Sequence, residues 1–353
     1  MAAEAAALPA APAASFVVAD LDTGEIIAAQ NAHEQLPPAS TLKMLTALTV
    51  LPRTDLETIY TATVEDVSVE GSKVGIVEGS TYTARQLFEA MFLISGNDAA
   101  NAVANLNGSI EGTIEQMQAE AGRMQAYDTV VRSANGLDAQ GQVSSAYDLA
   151  LIARAGLQRP DFASFAALSN STFPMSGTSD PTTRPTFEIW NQNTLVTGAY
   201  EGGIGVKSGF TTNAGRTFAA AAERDGQRYV VTLMGIEGNT YSTGAEYLDW
   251  AFEHGGELDP VGQLVDPKFD TAPSDAAAIS TADSVVAPVN ISASTSGRAP
   301  FLLAALTATA YLSAWWLVRA PYRRALRRRQ PAPRGPAPLR ESRYVDLRDG
   351  VRV

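Results

Sequence analysis

The chain has 353 residues, 45% of them hydrophobic, and its 38 acidic and 26 basic side chains give a formal net charge of −12. The absence of cysteine excludes disulfides, thiolate nucleophiles and cysteine-ligated metal sites, and two histidines, His33 and His254, are too few for a multi-histidine zinc site. The acidic charge argues against nucleic acid as a partner, because polyanions bind to basic surfaces.

The first predicted element is a hairpin that follows an alanine-rich start. Residues 1–14 lack the basic residues that begin an export signal, and we interpret them as an N-terminal segment compatible with the remnant of such a signal. Two apolar runs then flank Asp22-Thr23-Gly24 within residues 15–29. This pattern predicts two strands joined by a tight turn.

Helices follow the hairpin, and strands return near residue 200. The spacing of apolar residues predicts helices over residues 40–51, 84–93, 98–106, 110–125 and 145–155. Strands are predicted over residues 203–210, 217–223 and 228–235. This order predicts one α+β domain over residues 15–255, in which both ends of the head build an antiparallel sheet. Helices would flank the sheet, and a mostly helical lobe would be inserted between its halves.

The remaining residues differ in composition from the head. Residues 256–298 contain mainly small and polar side chains, which predicts a disordered linker. Within residues 299–319, positions 300–318 are a stretch of 19 residues without a charge, long enough for a transmembrane helix. Residues 320–353 would form a basic tail.

The charge distribution predicts how the chain is oriented in a membrane. From Arg319 to the end, 11 arginines against three acidic residues give a net charge of +8, whereas the preceding 318 residues carry −20. Positive charge flanking a membrane helix stays on the cytoplasmic side. We therefore predict a single-pass membrane protein with an extracytoplasmic head and a cytoplasmic C-terminus.

Three short motifs carry the candidate chemistry. Each motif alone is a weak signal, and a second Ser-X-Asn sequence lies at Ser133-Ala134-Asn135. All three motifs in this order are expected by chance in about one of a hundred such chains. In chain order they are Ser40-Thr41-Leu42-Lys43, Ser95-Gly96-Asn97 and Lys207-Ser208-Gly209.

Ser40 and Lys43 fit a hydroxyl nucleophile with an amine base. Prolines precede Ser40 and an apolar helix follows it, so that residues three apart lie on the same side of the helix. An amine at this spacing can take the hydroxyl proton in place of an imidazole. A free lysine has a pKa near ~10.4, so burial and a second cation, for which Lys207 is the candidate, must favour the neutral amine.

The other two motifs have contexts that can form a cleft. Ser95 and Asn97 lie in a predicted loop between two helices, and Asp98 is predicted to cap the second helix. Lys207 and Ser208 lie on a predicted strand that begins with several glycines, which lets a ligand backbone lie alongside.

These motifs, with their neighbours PPASTLK, ISGNDAANAVA and GVKSGFTTNAG, resemble the penicillin-binding D-alanyl-D-alanine carboxypeptidases, low-molecular-mass serine peptidases of bacterial cell walls. The resemblance extends over roughly residues 15–255. It implies a β-lactamase/transpeptidase-like fold, a peptidoglycan stem peptide as substrate, and β-lactams as inhibitors. It implies that neither a metal nor a cofactor is needed. It also implies that the predicted anchor lies in a bacterial cell membrane.

The resemblance also implies a role for each matching residue. Ser40 would attack the carbonyl between two terminal D-alanines, Lys43 would be the general base, and Ser95 would relay a proton to the leaving amine. The backbone N–H groups of Ser40 and Phe210 would form the oxyanion hole. The implied substrate-binding residues are Asn97 for the substrate amide, Lys207 for the positive potential, Ser208 for the terminal carboxylate, Gly209 and Phe210.

The sequence departs from the family pattern at two positions. Ser208 stands where the family usually has threonine, which keeps the hydroxyl group. The arginine that many members place just after the last strand, where it helps bind the terminal carboxylate, is not seen at Gly235-Ile236-Glu237. The sequence therefore leaves open which residue binds this carboxylate.

Three alternatives to a carboxypeptidase remain. A D,D-endopeptidase of peptidoglycan cross-links would use the same residues. A class A β-lactamase needs a glutamate between the second and third motifs, and residues 121–187 contain none. A membrane-anchored β-lactam sensor would need a signalling domain, which the short arginine-rich tail does not resemble.

Overall fold

The computed structural model describes residues 7–10 and 13–268, apart from the side chain of Ala199. The predicted membrane helix 299–319, the basic tail 320–353 and most of the predicted linker lie outside the described residues, as does most of the N-terminal segment. Within residues 13–268, no helix is long and apolar enough to cross a membrane.

The described chain contains ten strands and eight α-helices, with a 3-10 turn directly before the first helix. In chain order these are β1 (Ala13–Asp20), β2 (Glu25–Gln30), the 3-10 turn (Ala39–Leu42), α1 (Lys43–Val50), β3 (Ile59–Thr61), α2 (Val64–Val67), β4 (Thr81–Thr83), α3 (Ala84–Leu93), α4 (Asn97–Leu106), α5 (Ile110–Arg123), α6 (Ala146–Leu157), α7 (Pro160–Ala166), β5 (Asn170–Pro174), β6 (Thr186–Trp190), β7 (Gly203–Thr211), β8 (Gly215–Arg224), β9 (Gln227–Ile236), α8 (Thr240–His254) and β10 (Gly262–Gln263).

The main sheet is antiparallel and has the strand order β10-β2-β1-β9-β8-β7. The N-terminal hairpin and the three later strands meet where β1 pairs with β9. The predicted hairpin, the three strands and the α+β architecture with a sheet made from both ends of the head are confirmed. β7 is an edge strand, which leaves one side of its backbone open for a ligand.

Both faces of the main sheet are buried, because successive apolar side chains of a strand point to opposite faces and pack into two different cores. On β1, Val17 and Ala19 join the larger core, which contains residues of helices α1, α3 to α7. Phe16 and Val18 point to the opposite face and join a second core with Tyr247 and Leu248 of α8, in keeping with the two-residue period of a strand.

The inserted lobe contains the helices that the apolar spacing predicted. α3, α4, α5 and α6 lie within two residues of the predicted bounds. The helix predicted over residues 40–51 is interrupted at its start, since residues 39–42 form the 3-10 turn and only Lys43–Val50 is α-helical.

The predicted ranges do not include three helices and two ribbons of paired strands: α2, α7, α8, β3–β4 and β5–β6. The first turns of α8 contain threonine, tyrosine, serine and glycine, which favour a helix weakly. A Cβ added to Gly244 would lie 2.5 Å from the Phe218 ring, so glycine lets α8 lie directly on the sheet. Burial against the sheet therefore stabilises first turns whose local sequence favours a helix only weakly.

The predicted head boundaries need correction at both ends. β1 begins at Ala13, inside the segment predicted to precede the head. At the other end, β10 pairs with β2, and Asp266 lies 2.8 Å from the Arg154 guanidinium. Residues 256–268 are therefore part of the head, and the linker does not begin at residue 256. The composition of this stretch predicted disorder, but the pairing of β10 with β2 and the ion pair between Asp266 and Arg154 keep it ordered.

Candidate active site

Ser40 lies in the 3-10 turn that leads into α1. The carbonyl of Pro38, just before this turn, accepts hydrogen bonds from the hydroxyl groups of Thr217 on β8 (2.8 Å) and of Thr41 (2.5 Å). These bonds fix the segment against the sheet. Neither the turn nor α1 begins with a side-chain cap, so the Ser40 hydroxyl is not a helix-capping group.

Two glycines let the backbone pack closely around Ser40. A Cβ added to Gly209 on β7 would lie 2.7 Å from the Ser40 nitrogen, and one added to Gly136 would lie 2.1 Å from the Ala39 carbonyl oxygen. A larger side chain at either position would push the turn away. The Ser40 N–H group is thereby held beside the β7 backbone, where the oxyanion hole is predicted.

The Lys43 amine is 1% exposed and has three oxygen partners. Nζ lies 2.7 Å from Ser40 Oγ, 2.7 Å from Asn97 Oδ1 and 2.5 Å from the backbone oxygen of Asn135. A neutral amine has two N–H donors and one lone pair, and the oxygens of Asn97 and Asn135 accept from both donors. The lone pair is then directed to the Ser40 hydroxyl proton, which is the geometry that a general base requires.

The surroundings of Lys43 favour this neutral form. Burial lowers the pKa of Lys43 well below that of an exposed lysine, and the positive charge of Lys207 lowers it further. The Asp98 carboxylate has the opposite, smaller effect. Burial also lowers the pKa of Lys207, to about 7. The lowered pKa of Lys43 and its two causes agree with the predicted activation by burial and a second cation.

Ser95 and Asn97 follow α3, as predicted, but they face different surroundings. Ser95 has a φ of +58°, a left-handed conformation that is uncommon outside glycine and is concentrated at functional sites. Its side chain lines the same cleft as Ser40. Asn97 is 3% exposed, and its amide donates to the Glu70 carbonyl at 2.7 Å while its oxygen binds Lys43. Asn97 therefore orients the lysine from below the cleft, and its contact with substrate stays a prediction.

Asp98 was predicted to be the cap of α4, but it is not the N-cap residue. Gly96 is the residue before the helix, and Asp98 lies in the first turn with a fully buried side chain. Its carboxylate accepts hydrogen bonds from the N–H groups of Val74, Gly75 and Ile76 at 2.8 to 3.0 Å. The side chain thus anchors the loop that brings Ser72 to the cleft.

The third motif contributes a buried cation and an accessible hydroxyl from β7. The Lys207 side chain is 3% exposed, and its amine donates to the Ser208 carbonyl at 2.9 Å. The Ser208 hydroxyl lies 3.3 Å from the hydroxyl oxygen of Tyr241 on α8. Successive residues of a strand point to opposite faces, which separates these two groups.

The three motifs meet at one cleft of about 240 Å³. Of the eight predicted site residues, five line this cleft, and Lys43, Asn97 and Lys207 are buried next to them. Ser133, the serine of the second Ser-X-Asn sequence, does not line the cleft. The lining residues are Ser40, Ser72, Ser95, Gln192, Ser208, Gly209, Phe210, Arg216, Thr240 and Tyr241.

Sequence analysis missed the role of Asn135 and five residues that line the cleft: Ser72, Gln192, Arg216, Thr240 and Tyr241. Asn135 was interpreted as part of a structural turn, yet its carbonyl binds Lys43, and a backbone group leaves no signal in the residue type. Arg216 reaches the cleft through the register of β7 with β8, and Tyr241 through the unpredicted α8. Within the described residues, no group of three His, Asp or Glu side chains is placed to hold a metal ion.

Known D-alanyl-D-alanine carboxypeptidases are similar to this chain in sequence. A family model described as D-alanyl-D-alanine carboxypeptidase matches residues 2–238. The chain is 38% identical over 252 residues to the D-alanyl-D-alanine carboxypeptidase DacB2 of Mycobacterium tuberculosis, a match that covers 69% of this chain and 84% of DacB2. Several other curated relatives are longer, and the chain spans less than two thirds of their length.

Solved structures are similar over the same region. A D-alanyl-D-alanine carboxypeptidase from Mycobacterium tuberculosis shares 36% identity and a TM-score of 0.67, covering 75% of this chain and 98% of that one. Penicillin binding protein 6B from Escherichia coli shares 28% identity and a TM-score of 0.61, covering 71% and 85%. The chain belongs to the D-alanyl-D-alanine carboxypeptidase family of serine hydrolases.

Proposed function

We propose that the chain is a serine-type D-alanyl-D-alanine carboxypeptidase that removes the terminal D-alanine from peptidoglycan stem pentapeptides. The observation that carries this proposal is the placement of the Lys43 amine. Two acceptors occupy its donors, and the Ser40 hydroxyl lies 2.7 Å away in a cleft that Ser95 and Ser208 also line.

The first half-reaction forms an acyl-enzyme on Ser40. Ser40 Oγ attacks the carbonyl carbon between the two D-alanines while its proton passes to Lys43 Nζ. The N–H groups of Ser40 and Phe210 stabilise the oxyanion, a contribution of about 3 kcal/mol per donor. The Ser95 hydroxyl then relays the proton to the leaving amine, the C–N bond breaks, and free D-alanine departs.

The second half-reaction releases the shortened peptide. Once D-alanine has left, water can approach the ester carbon from the side that the amine occupied. Lys43, neutral again after the relay, takes a proton from this water as it attacks. The C–O bond to Ser40 breaks as Lys43 returns this proton to Ser40 Oγ, which regenerates the serine hydroxyl and releases the tetrapeptide with its new terminal carboxylate.

A comparison of two substrates tests the proposal against the D,D-endopeptidase alternative. The protein is incubated separately with a muramyl pentapeptide and with a cross-linked peptide dimer, and the products are followed by mass spectrometry. A carboxypeptidase releases D-alanine from the pentapeptide and leaves the dimer intact. Cleavage of the dimer to monomers without D-alanine release from the pentapeptide would contradict the proposal and favour an endopeptidase.

We propose in addition that residues 299–319 anchor the head to the outer face of a bacterial cell membrane. Support comes from the sequence alone, namely the uncharged run and the charges of −20 and +8 on either side of it. Protease added to intact cells should digest the head and spare a tag placed after Val353. Digestion of the tag while a cytoplasmic marker protein stays intact would contradict this orientation.

A further inference from the structure

Arg216, at the start of β8, has a side chain that no acidic group neutralises within the described residues. The residue is exposed and lines the cleft, with its guanidinium 5.4 Å from the centre of the Phe210 ring. Stacking on an aromatic face restricts an arginine side chain while leaving its N–H donors available. An oriented arginine without an anion partner is suited to bind an anionic ligand.

The strand register places Arg216 on the same side of the sheet as the Ser208 hydroxyl. Phe210 pairs with Arg216, and Ser208 pairs with Phe218, so all four side chains point to one face. Arg216 is therefore the diagonal neighbour of Ser208, at a separation that a long side chain spans. On the same face, the Tyr241 ring packs edge-on against Phe218, and its hydroxyl lies 3.3 Å from Ser208 Oγ.

Arg216 is also the one charged side chain that lines the cleft among the described residues. Lys43 and Lys207 are 1% and 3% exposed, and their amines bind oxygens of the protein. An anionic group entering the cleft therefore meets the guanidinium first, with the hydroxyl groups of Ser208 and Tyr241 beside it.

We propose that Arg216, together with the Ser208 and Tyr241 hydroxyls, binds the terminal carboxylate of the peptide and makes the site selective for chain ends. The inference rests on the proposed function, in which the scissile carbonyl lies beside Ser40 and Gly209 and the leaving D-alanine carries the carboxylate. A guanidinium can hold both carboxylate oxygens, whereas an uncharged peptide continuing past this residue would leave it unpaired. Arg216 thus supplies from β8 the cation that the sequence does not provide at residues 235–237.

The test compares diacetyl-L-Lys-D-Ala-D-Ala with its C-terminal amide. Arg216→Met keeps the packing on Phe210 and removes the charge, and it should lower kcat/KM for the carboxylate substrate about 10- to 100-fold. The same change should alter kcat/KM for the amide by less than about threefold, because the amide offers no charge to the guanidinium. Arg216→Lys should recover part of the loss as a point charge.

Arg85→Met provides the matched control, because Arg85 is an exposed arginine paired with Glu57 away from the cleft. It should leave both substrates unaffected. An equal loss on both substrates, or no loss on the carboxylate substrate, would overturn the assignment of Arg216. Wild-type protein that cleaves neither substrate would instead refute the proposed function, and the assignment with it.

Discussion

Replacing Lys43 with arginine should lower the rate of Ser40 acylation by about 10³- to 10⁴-fold. A guanidinium stays protonated at all accessible pH values, so it has no lone pair for the Ser40 proton. Lys43→Met should lower the acylation rate by a similar factor, because this position must supply a lone pair and not only a positive charge. The measurement is the rate of covalent labelling by a fluorescent penicillin.

The matched control is Lys73→Arg, because Lys73 is exposed and its amine donates a hydrogen bond to the Val67 carbonyl. This variant should label at the wild-type rate. Thermal unfolding of each variant separates loss of the base from loss of the fold. Folded Lys43→Arg protein that labels at more than about a tenth of the wild-type rate would contradict the role of Lys43 as base.

The same role fixes the sign of the pH dependence. Burial and the charge of Lys207 lower the pKa of Lys43, so more of the amine is neutral at neutral pH than for an exposed lysine. The acylation rate of the wild-type protein should therefore fall as the pH is lowered through this pKa and Lys43 becomes protonated.

The second large effect concerns the lifetime of the penicillin adduct. Opening of the β-lactam ring leaves the leaving group attached beside the ester, where it blocks the approach of water that D-alanine leaves open. Fast release would need a dedicated carboxylate that places water on the other side. We expect the penicilloyl ester to persist for minutes or longer, while the natural peptide ester is hydrolysed.

The charges around the cleft support this expectation. No carboxylate lines it within the described residues, and the buried Asp98 is occupied by backbone N–H groups. Between residues 121 and 187 each aspartate has another partner: Asp128 binds His33, Asp138 binds Thr211, Asp148 binds Thr129, Asp161 binds Arg159 and Asp180 binds Thr182.

Intact-mass measurements over time after adding excess penicillin provide the readout. A mass increase of one penicillin that lasts for minutes is expected. Rapid loss of all added penicillin without a lasting adduct would contradict the expectation and indicate a β-lactamase with a base outside the residues considered above.

The parts of the site that sequence could predict are those in which the chemistry depends on side chains close together in the chain. Ser40 and Lys43 lie three residues apart where the 3-10 turn meets α1, and Ser95 and Asn97 lie two residues apart where α4 begins. The hairpin and sheet strands were predictable for a similar reason, because alternation and turn residues are local patterns.

The remaining parts depend on tertiary contacts. The carbonyl of Asn135 acts through the backbone, and Asp98 acts on a loop more than 20 residues away. Arg216 required the register of β7 with β8, and Tyr241 required a helix stabilised by packing on the sheet. Because a single sequence shows neither register nor packing, it does not place Arg216 or Tyr241 next to Ser208.

Mapping the penicillin adduct decides whether Ser40 is the nucleophile. The labelled protein is digested and each serine-containing peptide is examined by mass spectrometry, with Ser40→Ala and Ser133→Ala proteins treated in parallel. We expect the added mass on the peptide that contains Ser40, no labelling and no D-alanine release by Ser40→Ala, and normal labelling of folded Ser133→Ala. An adduct on any other residue, or D-alanine release by the Ser40→Ala protein, would contradict the proposed mechanism.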